Sequence, residues 1–307
     1  MKNKLKRLFS NVELILGILI ILAYAIVAMA APRIAPPEDD NPYYLPRDGF
    51  KGIPEPPDEN HPLGTLPRQY DIFYGIIWGT RMAFLVGLSI TLGRTLIGGL
   101  LGLFSGYFGG LLDGIVMRIT DAFMAVPAVA AGAIMYALFG EIGSTTAPTS
   151  QFLLSIKNEQ IIVIALILFG WMQYARLIHG NVISEREKEY VQAAISTGSS
   201  NRRILFRHLL PNSIRGLFVL IASDIGAMVA LVSVFYFIGL IGDSPYGFLA
   251  DWGLMLSASR DWIVSASSKP FEFWYTYVPA SAAIVFFTIG WSMIGDGLRD
   301  LLDPRSR

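Results

Sequence analysis

Residues 184–212 read SEREKEYVQAAISTGSSNRRILFRHLLPN, the longest polar interval between two apolar runs in the second half of the chain. The pattern predicts helix, break, helix. Ser184 and Glu187 have the spacing of a capping box, which would satisfy the free amides of a helix start. Tyr190, Ala193, Ala194 and Thr197 then fall at helical spacing and make one short apolar face. Gly198 predicts the stop, because glycine alone takes the left-handed C-cap conformation without steric cost. Ser199, Ser200 or Asn201 can cap a second helix, in which Ile204, Leu205, His208 and Leu209 share a side until Pro211 breaks it. A short helix flanked by Arg202, Arg203 and Arg207 suits a partner's groove. The same pattern also suits an amphipathic helix lying on lipid headgroups.

The rest of the chain says what that segment interrupts. Of 307 residues 53% are hydrophobic and only 16% charged, with no cysteine. A soluble protein of this length carries about a quarter of its residues charged, and here the apolar residues are gathered into long runs, the signature of a membrane protein. Without cysteine there is neither a disulfide nor a thiolate metal site. A formal net charge of zero gives no argument for nucleic acid.

Six spans are predicted: Val12 to Ala31, Arg81 to Phe104, Arg118 to Phe139, Gln160 to Ile178, Gly216 to Leu240, and Tyr277 to Ile294. The first follows a basic start (Lys2, Lys4, Lys6, Arg7) and is long enough to cross ~30 Å of hydrocarbon; it ends in Pro-Arg instead of a small-residue cleavage site, so a retained span is expected rather than a signal peptide. The second holds Gly87, Gly93, Gly98, Gly99 and Gly102, spacing that permits close helix approach in lipid. A turn, GYFGGLLDG, leads into the third, where Pro127 predicts a kink. The organisation expected is a tail and first span over 1–31, a proline- and acid-rich extracytoplasmic loop over 32–75 with a short helix near Tyr70 to Trp78, a core over 76–298, and a tail over 299–307. Within the core lie the 184–212 segment and a long loop, 241–275, whose Trp252, Trp262 and Trp274 are of the kind that sit at a membrane interface. Lysine and arginine are dense before span one, through 176–215 and after span six. The positive-inside rule therefore predicts that both termini and the 179–215 segment, with 184–212 inside it, are cytoplasmic.

Little in the chain points to catalysis. No Gly-Lys pair occurs, so there is no Walker A sequence. His61, His179 and His208 fall on predicted loops on opposite sides, which argues for structural or solvated histidines and against a metal cluster. Asp296, in Gly295-Asp296-Gly297, lies at a predicted helix end, whereas an intramembrane protease needs two membrane-buried aspartates as a dyad. Away from the span ends, two charged residues fall inside predicted spans: Arg94 in span two and Asp224 in span five. Charge in hydrocarbon is costly, so such residues are functional candidates. The opposed directions of the two spans put both at similar depth, where they are expected either to pair or to share a water-filled cavity, the alternative being that one or both reach the cytoplasmic headgroups.

The 184–212 segment resembles the EAA loop of permease subunits of binding-protein-dependent ABC transporters. The resemblance rests on Gln192-Ala193-Ala194, Gly198 and His208-Leu209-Leu210-Pro211, with Gln192 in place of the usual glutamate and His208 in place of isoleucine. His61-Pro62-Leu63-Gly64-Thr65, Gly106-Tyr107-Phe108-Gly109-Gly110 with Asp113, Met117-Arg118 and Asp121, Tyr174-Ala175-Arg176, Arg186 to Val191, and Gly295 to Asp300 with Asp303-Pro304 are similar to the dipeptide/oligopeptide/nickel class. A further departure is Leu66-Pro67-Arg68-Gln69, where that class continues differently. The likeness covers nearly the whole chain. It implies an all-α integral membrane fold, with a type I importer permease core from span two to span six and span one as an added helix. It also implies an inner-membrane location in a prokaryote, and partners: a second homologous permease, two ATP-binding subunits and an extracytoplasmic substrate-binding protein. ATP and magnesium would then sit on the ATPase subunits, with no cofactor on this chain. The docking helix implied is Tyr190, Val191, Gln192, Ala193, Ala194, Thr197 and Gly198, with Pro211 restarting the membrane helix. Peptides are the implied cargo, with nickel and oligosaccharides also handled in this class. A secondary transporter without ATPase partners is the alternative; it predicts inverted repeats, and none is evident.

Overall fold

The computed structural model describes residues 11–37, 41–139, 158–214, 216–240, 248–264 and 271–302. Nearly all regular structure is helical. The helices are α1 (Val12–Ile34), α2 (Ile72–Phe108), α3 (Gly110–Met124), α4 (Ala128–Phe139), α5 (Asn158–Leu168), α6 (Met172–Arg186), α7 (Glu189–Ser196), α8 (201–213), α9 (Leu217–Phe237), α10 (Trp252–Val264) and α11 (Trp274–Leu302). Two short strands, β1 (Thr65–Leu66) and β2 (Tyr70–Asp71), pair antiparallel with Thr65 opposite Asp71 and Leu66 opposite Tyr70. Among the described residues five helices are long and apolar enough to cross a membrane: α1, α2, the α5–α6 run Gln160–Arg186, α9 and α11. The α3–α4 pair makes a sixth if it counts as one broken span.

The described residues form two compact units. One comprises Ser89–Asp224 with 11 and 295–302; the other comprises Val12–Leu88 and Ile225–Ile294. In the second, Trp78, Trp252 and Phe287 are buried, and Tyr24 meets both Trp252 and Phe287 edge to face. Each polar tip finds a backbone carbonyl, as buried amphipathic rings require: Trp78 Nε1 donates to Ala35 O at 2.9 Å, Trp252 Nε1 to Ile76 O at 3.2 Å and Tyr24 Oη to Ala283 O at 2.9 Å. In the first unit, Gly98 and Gly102 of α2 lie so close to the α6 backbone at Trp171 and Ala175 that any Cβ would collide there. Those two members of the glycine series form the helix seam, whereas Gly99 has open space beside it.

The structure corrects several expectations. The short helix near Tyr70 to Trp78 is the opening of α2, which starts at Ile72 and runs 37 residues. Residues 72–80 contain no proline, and Asp71 Oδ1 accepts the Tyr74 amide at 2.7 Å, as an N-cap residue does. Span three is not one kinked helix: α3 and α4 are bent by 90°, with Pro127 in the break between them. Proline removes a backbone donor and crowds the preceding turn, and here the helix ends instead of bending. The 241–275 loop contains α10, whose first amides, those of Gly253 and Leu254, donate to Asp251 Oδ1 at 2.8 and 3.1 Å. Trp252 is a buried core residue rather than an interfacial one.

Candidate functional site

Two places in the first unit gather polar chemistry: the 184–212 segment and the Arg94–Asp224 pair. In the segment, the capping box expected at Ser184 and Glu187 does not form. Ser184 lies inside α6, and the next helix starts after Lys188, which is extended and offers no side-chain cap. α6 runs on through Ser184 to Arg186, its end carrying the good helix formers Glu185 and Arg186. The turn is held instead by Glu185, which sequence reading passed over. Its side chain is buried, taking the Tyr190 hydroxyl at 2.7 Å and Lys188 Nζ at 2.5 Å. Gln192 Nε2 donates to the Arg186 carbonyl at 2.9 Å, covering the end of α6.

α7 itself has two faces. Val191 is fully buried, and Ala194 packs against the same cluster as Leu103, Tyr174, Ile178, Val182, Ile204 and Leu209. Tyr190, Gln192, Ala193, Ile195 and Thr197 are exposed. The expected face of Tyr190, Ala193, Ala194 and Thr197 is therefore split, with Ala194 turned to the core and the other three outward.

The stop at Gly198 is a Schellman motif. Gly198 has φ +76°, its amide donates to Ile195 O at 2.9 Å, and the Ser199 amide reaches Ala194 O at 3.1 Å. α8 then begins at Asn201, whose Oδ1 accepts the Tyr107 hydroxyl at 2.8 Å, tying it to the end of α2. Ile204, Leu205 and Leu209 are buried and His208 is half-buried, its ring 6.4 Å from that of Tyr190. Pro211 does not break the helix, contrary to expectation. The chain is π-helical over Ile204–Leu209 and continues as a last α turn, Leu210–Ser213. The wider π winding gives the proline ring room beside the preceding turn, where a regular α-helix would clash. The restart falls later, at Leu217 after Gly216 with φ +77°.

Arg94 and Asp224 meet. Arg94 Nη1 lies 3.1 and 3.2 Å from the two Asp224 oxygens, and only 6% and 12% of the two side chains is exposed, so the charges answer each other and not water. The cluster has more members than charge alone predicted. Tyr174 Oη donates to Asp224 Oδ2 at 3.0 Å, Thr91 Oγ1 lies 3.5 Å from the same oxygen, and Arg94 Nε donates to Leu166 O at 2.7 Å. Tyr174 entered the sequence reading only through the Tyr174-Ala175-Arg176 resemblance, because a tyrosine in an apolar run otherwise reads as packing. Two further pairs join α3 to α6: His179 Nε2 with Asp113 Oδ1 at 2.7 Å, and Arg176 with Asp121. His61 lies in the other unit, between Asp71 Oδ2 at 2.7 Å and Asp48 Oδ2 at 3.1 Å. Among the described residues no group of three or more His, Asp or Glu side chains is placed to hold a metal.

A helical chain with five or six membrane-length spans and a glycine-stopped helix pair between two of them has the form of a polytopic transport subunit. Residues 98–307 match the family model described as binding-protein-dependent transport system inner membrane component, and the chain belongs to that family. It is 31% identical over 306 residues to the dipeptide transport system permease protein DppC of Alkalihalophilus pseudofirmus, covering 100% of this chain and 90% of that one. The oligopeptide transport system permease protein OppC of Bacillus subtilis is 29% identical over the same shares of both chains. The probable D,D-dipeptide transport system permease protein DdpC of Escherichia coli is 32% identical over 82% of this chain and 76% of its own. The protein is thus a permease of a binding-protein-dependent transport system, and its relatives are transport subunits, not enzymes.

Proposed function

We propose that this permease is half of the translocation path of an ATP-driven peptide importer, and that α7 with Gly198 is the element through which ATP-binding subunits move it. The observation that carries this reading is the construction of α7. A two-turn helix has too few hydrogen bonds to be stable alone, yet this one is fixed at both ends and from behind. Glu185 holds its start, Val191 and Ala194 its back, and the Gly198 motif its end. What it offers outward is a small rigid surface of Tyr190, Ala193, Ile195 and Thr197, the form that a partner's groove receives. Ile204, Leu205 and Leu209 bury against the same cluster as Tyr174 and Ile178, a packed route by which a push on α7 would reach α6 and α8.

The remaining parts follow from the same reading. Nucleotide and magnesium sit on two ATP-binding subunits, a second homologous permease completes the path, and a binding protein delivers cargo outside. The chain lies in the inner membrane of a prokaryote with both termini and α7 cytoplasmic, and the spans rock in alternating access. The likeness to dipeptide and oligopeptide transport permeases supports a peptide cargo.

The test is affinity purification of the tagged chain from its native membrane in mild detergent, followed by ATPase and uptake assays. A second permease and P-loop ATPases should come with it. Gly198→Val should abolish ATP-driven uptake. A Cβ at Gly198 meets nothing within 4 Å, so the substitution acts through the left-handed backbone, at about 1–2 kcal/mol or more for a branched residue. Normal uptake in that variant, or a particle without ATPases, overturns the proposal.

A further inference from the structure

The Gln160–Arg186 span is not continuous: α5 ends at Leu168 and α6 starts at Met172. At the break the backbone leaves its α-helical register. The Gly170 amide, which would serve the Leu166 carbonyl in an α-helix, instead approaches Ile167 O at 3.4 Å. The Leu166 carbonyl is taken over by Arg94 Nε at 2.7 Å. A carbonyl without a partner in an apolar surrounding is costly, so the arginine makes the break tolerable. Gly170 is what lets it approach, because a Cβ there would fall on the guanidinium. The same guanidinium binds Asp224 of α9, and Asp224 accepts the hydroxyl of Tyr174, which lies beyond the break on α6. One polar cluster therefore grips the span on both sides of its discontinuity, at Leu166 and at Tyr174, and anchors it to α2 and α9.

We propose that Arg94, Asp224 and Tyr174 form a polar latch across this break, and that the break is a hinge at which the span changes its bend during transport. The hinge half rests on the permease reading; the latch half does not. α6 is the helix whose far end leads into α7, so a movement of α7 arrives at the break along a single helix. A span that only had to be rigid has no need of the break, and an apolar residue at 94 would serve its packing. Arg94, Asp224 and Tyr174 are positioning residues, because they act on cargo only through the span they hold.

The experiment is hydrogen exchange on the whole purified complex, resting and trapped with ATP and vanadate, reading peptides over 168–176 against peptides over 178–186. In the wild type the break should exchange differently in the two states. Tyr174→Phe keeps both charges and the ring and removes one hydrogen bond. It should raise resting exchange at the break roughly threefold, and Arg94→Gln roughly tenfold or more. Peptides over 178–186 should stay unchanged, and the two states should converge at the break. Uptake should fall in the same order.

Unchanged exchange at the break in Tyr174→Phe overturns the latch, and that variant decides the matter if Arg94→Gln does not fold. Wild-type exchange equal in both states, or faster exchange with full uptake, overturns the hinge. A particle that shows the exchange effect but carries no ATPase keeps the latch and defeats the ATP-driven reading instead.

Discussion

Two charged clusters in this permease each serve a backbone group that a helix leaves unsatisfied, and they do it in opposite ways. Arg94 supplies a donor to the Leu166 carbonyl in mid-span, while Asp71 supplies an acceptor to the Tyr74 amide at the start of α2. Both have a charged neighbour on the far side: Asp224 behind Arg94, His61 behind Asp71. The difference lies in whether the cluster can discharge and whether water reaches it. A guanidinium keeps its proton in any protein, and its partner is nearly enclosed. His61 can lose its proton near neutral pH, and its second partner, Asp48, is 64% exposed. The first cluster should therefore have large effects independent of pH, the second small effects that pH controls.

The largest break in that contrast is removal of one member of the enclosed pair. Arg94→Ala leaves Asp224 uncompensated and Leu166 O unserved, and should cost on the order of 3–5 kcal/mol. It should be read as loss of the assembled complex in thermal unfolding or in yield from the membrane. Arg94→Met with Asp224→Leu removes both charges and should recover part of that stability, because apolar replacement of a buried pair is often neutral. A double variant as damaged as the single would mean that serving the Leu166 carbonyl, not balancing the charge, is the main role of Arg94. Next in size is Gly170→Ala, whose methyl must displace the guanidinium. It should cost about 1–3 kcal/mol as an overpacking change, measured by the same melt. An Arg94→Ala background should relieve it, since the obstacle is then gone. Asp71→Ala follows at about 1 kcal/mol, the usual loss for an N-cap, seen as faster amide exchange in the first turn of α2 alone.

These clusters also divide what the sequence made legible. Arg94 and Asp224 stood out because charge is rare in apolar runs, and opposed spans put them at one depth. Leu166 did not, because an unserved carbonyl leaves no mark in the sequence, and Tyr174 was marked only by the Tyr174-Ala175-Arg176 resemblance, which gave it no partner. The same holds around α7. Gly198 was legible, since a left-handed C-cap singles out glycine, and its φ of +76° answers to that rule. Ser184 and Glu187 misled, because local cap spacing says nothing about the helix already running through Ser184. Glu185, two residues from Glu187, carries the turn by its burial, which spacing does not encode. Pro211 misled because the proline rule assumes an α-helix, and the chain is π-helical before it. α10 was hidden for another reason: its thirteen residues are too short and too mixed to read as a span, and only its Asp251 cap marks its start.

The smallest effect sharpens the comparison most, because it has a sign. Burial, the largest single influence on His61, pulls its pKa down, but the hydrogen bonds its ring donates to Asp71 and Asp48 and their negative charge outweigh it. The net shift is upward from the ordinary value of 6.5. A raised pKa means that the fold prefers the protonated ring, so the stabilisation is fully present below about pH 6.5 and is lost as pH rises through the higher folded value. The carboxylates facing the ring are those of Asp71 and Asp48, and Asp58 Oδ1 holds the His61 amide at 2.6 Å. With Asp48 open to water, the gain should stay below ~1 kcal/mol and shrink in high salt. The melting temperature of the wild-type complex should therefore fall between pH 6 and pH 8 relative to His61→Gln, in low salt, while Arg94→Ala shifts both pH values equally. A His61→Gln complex with the same pH slope as the wild type would place the titration elsewhere, and would leave Asp71 a cap and nothing more.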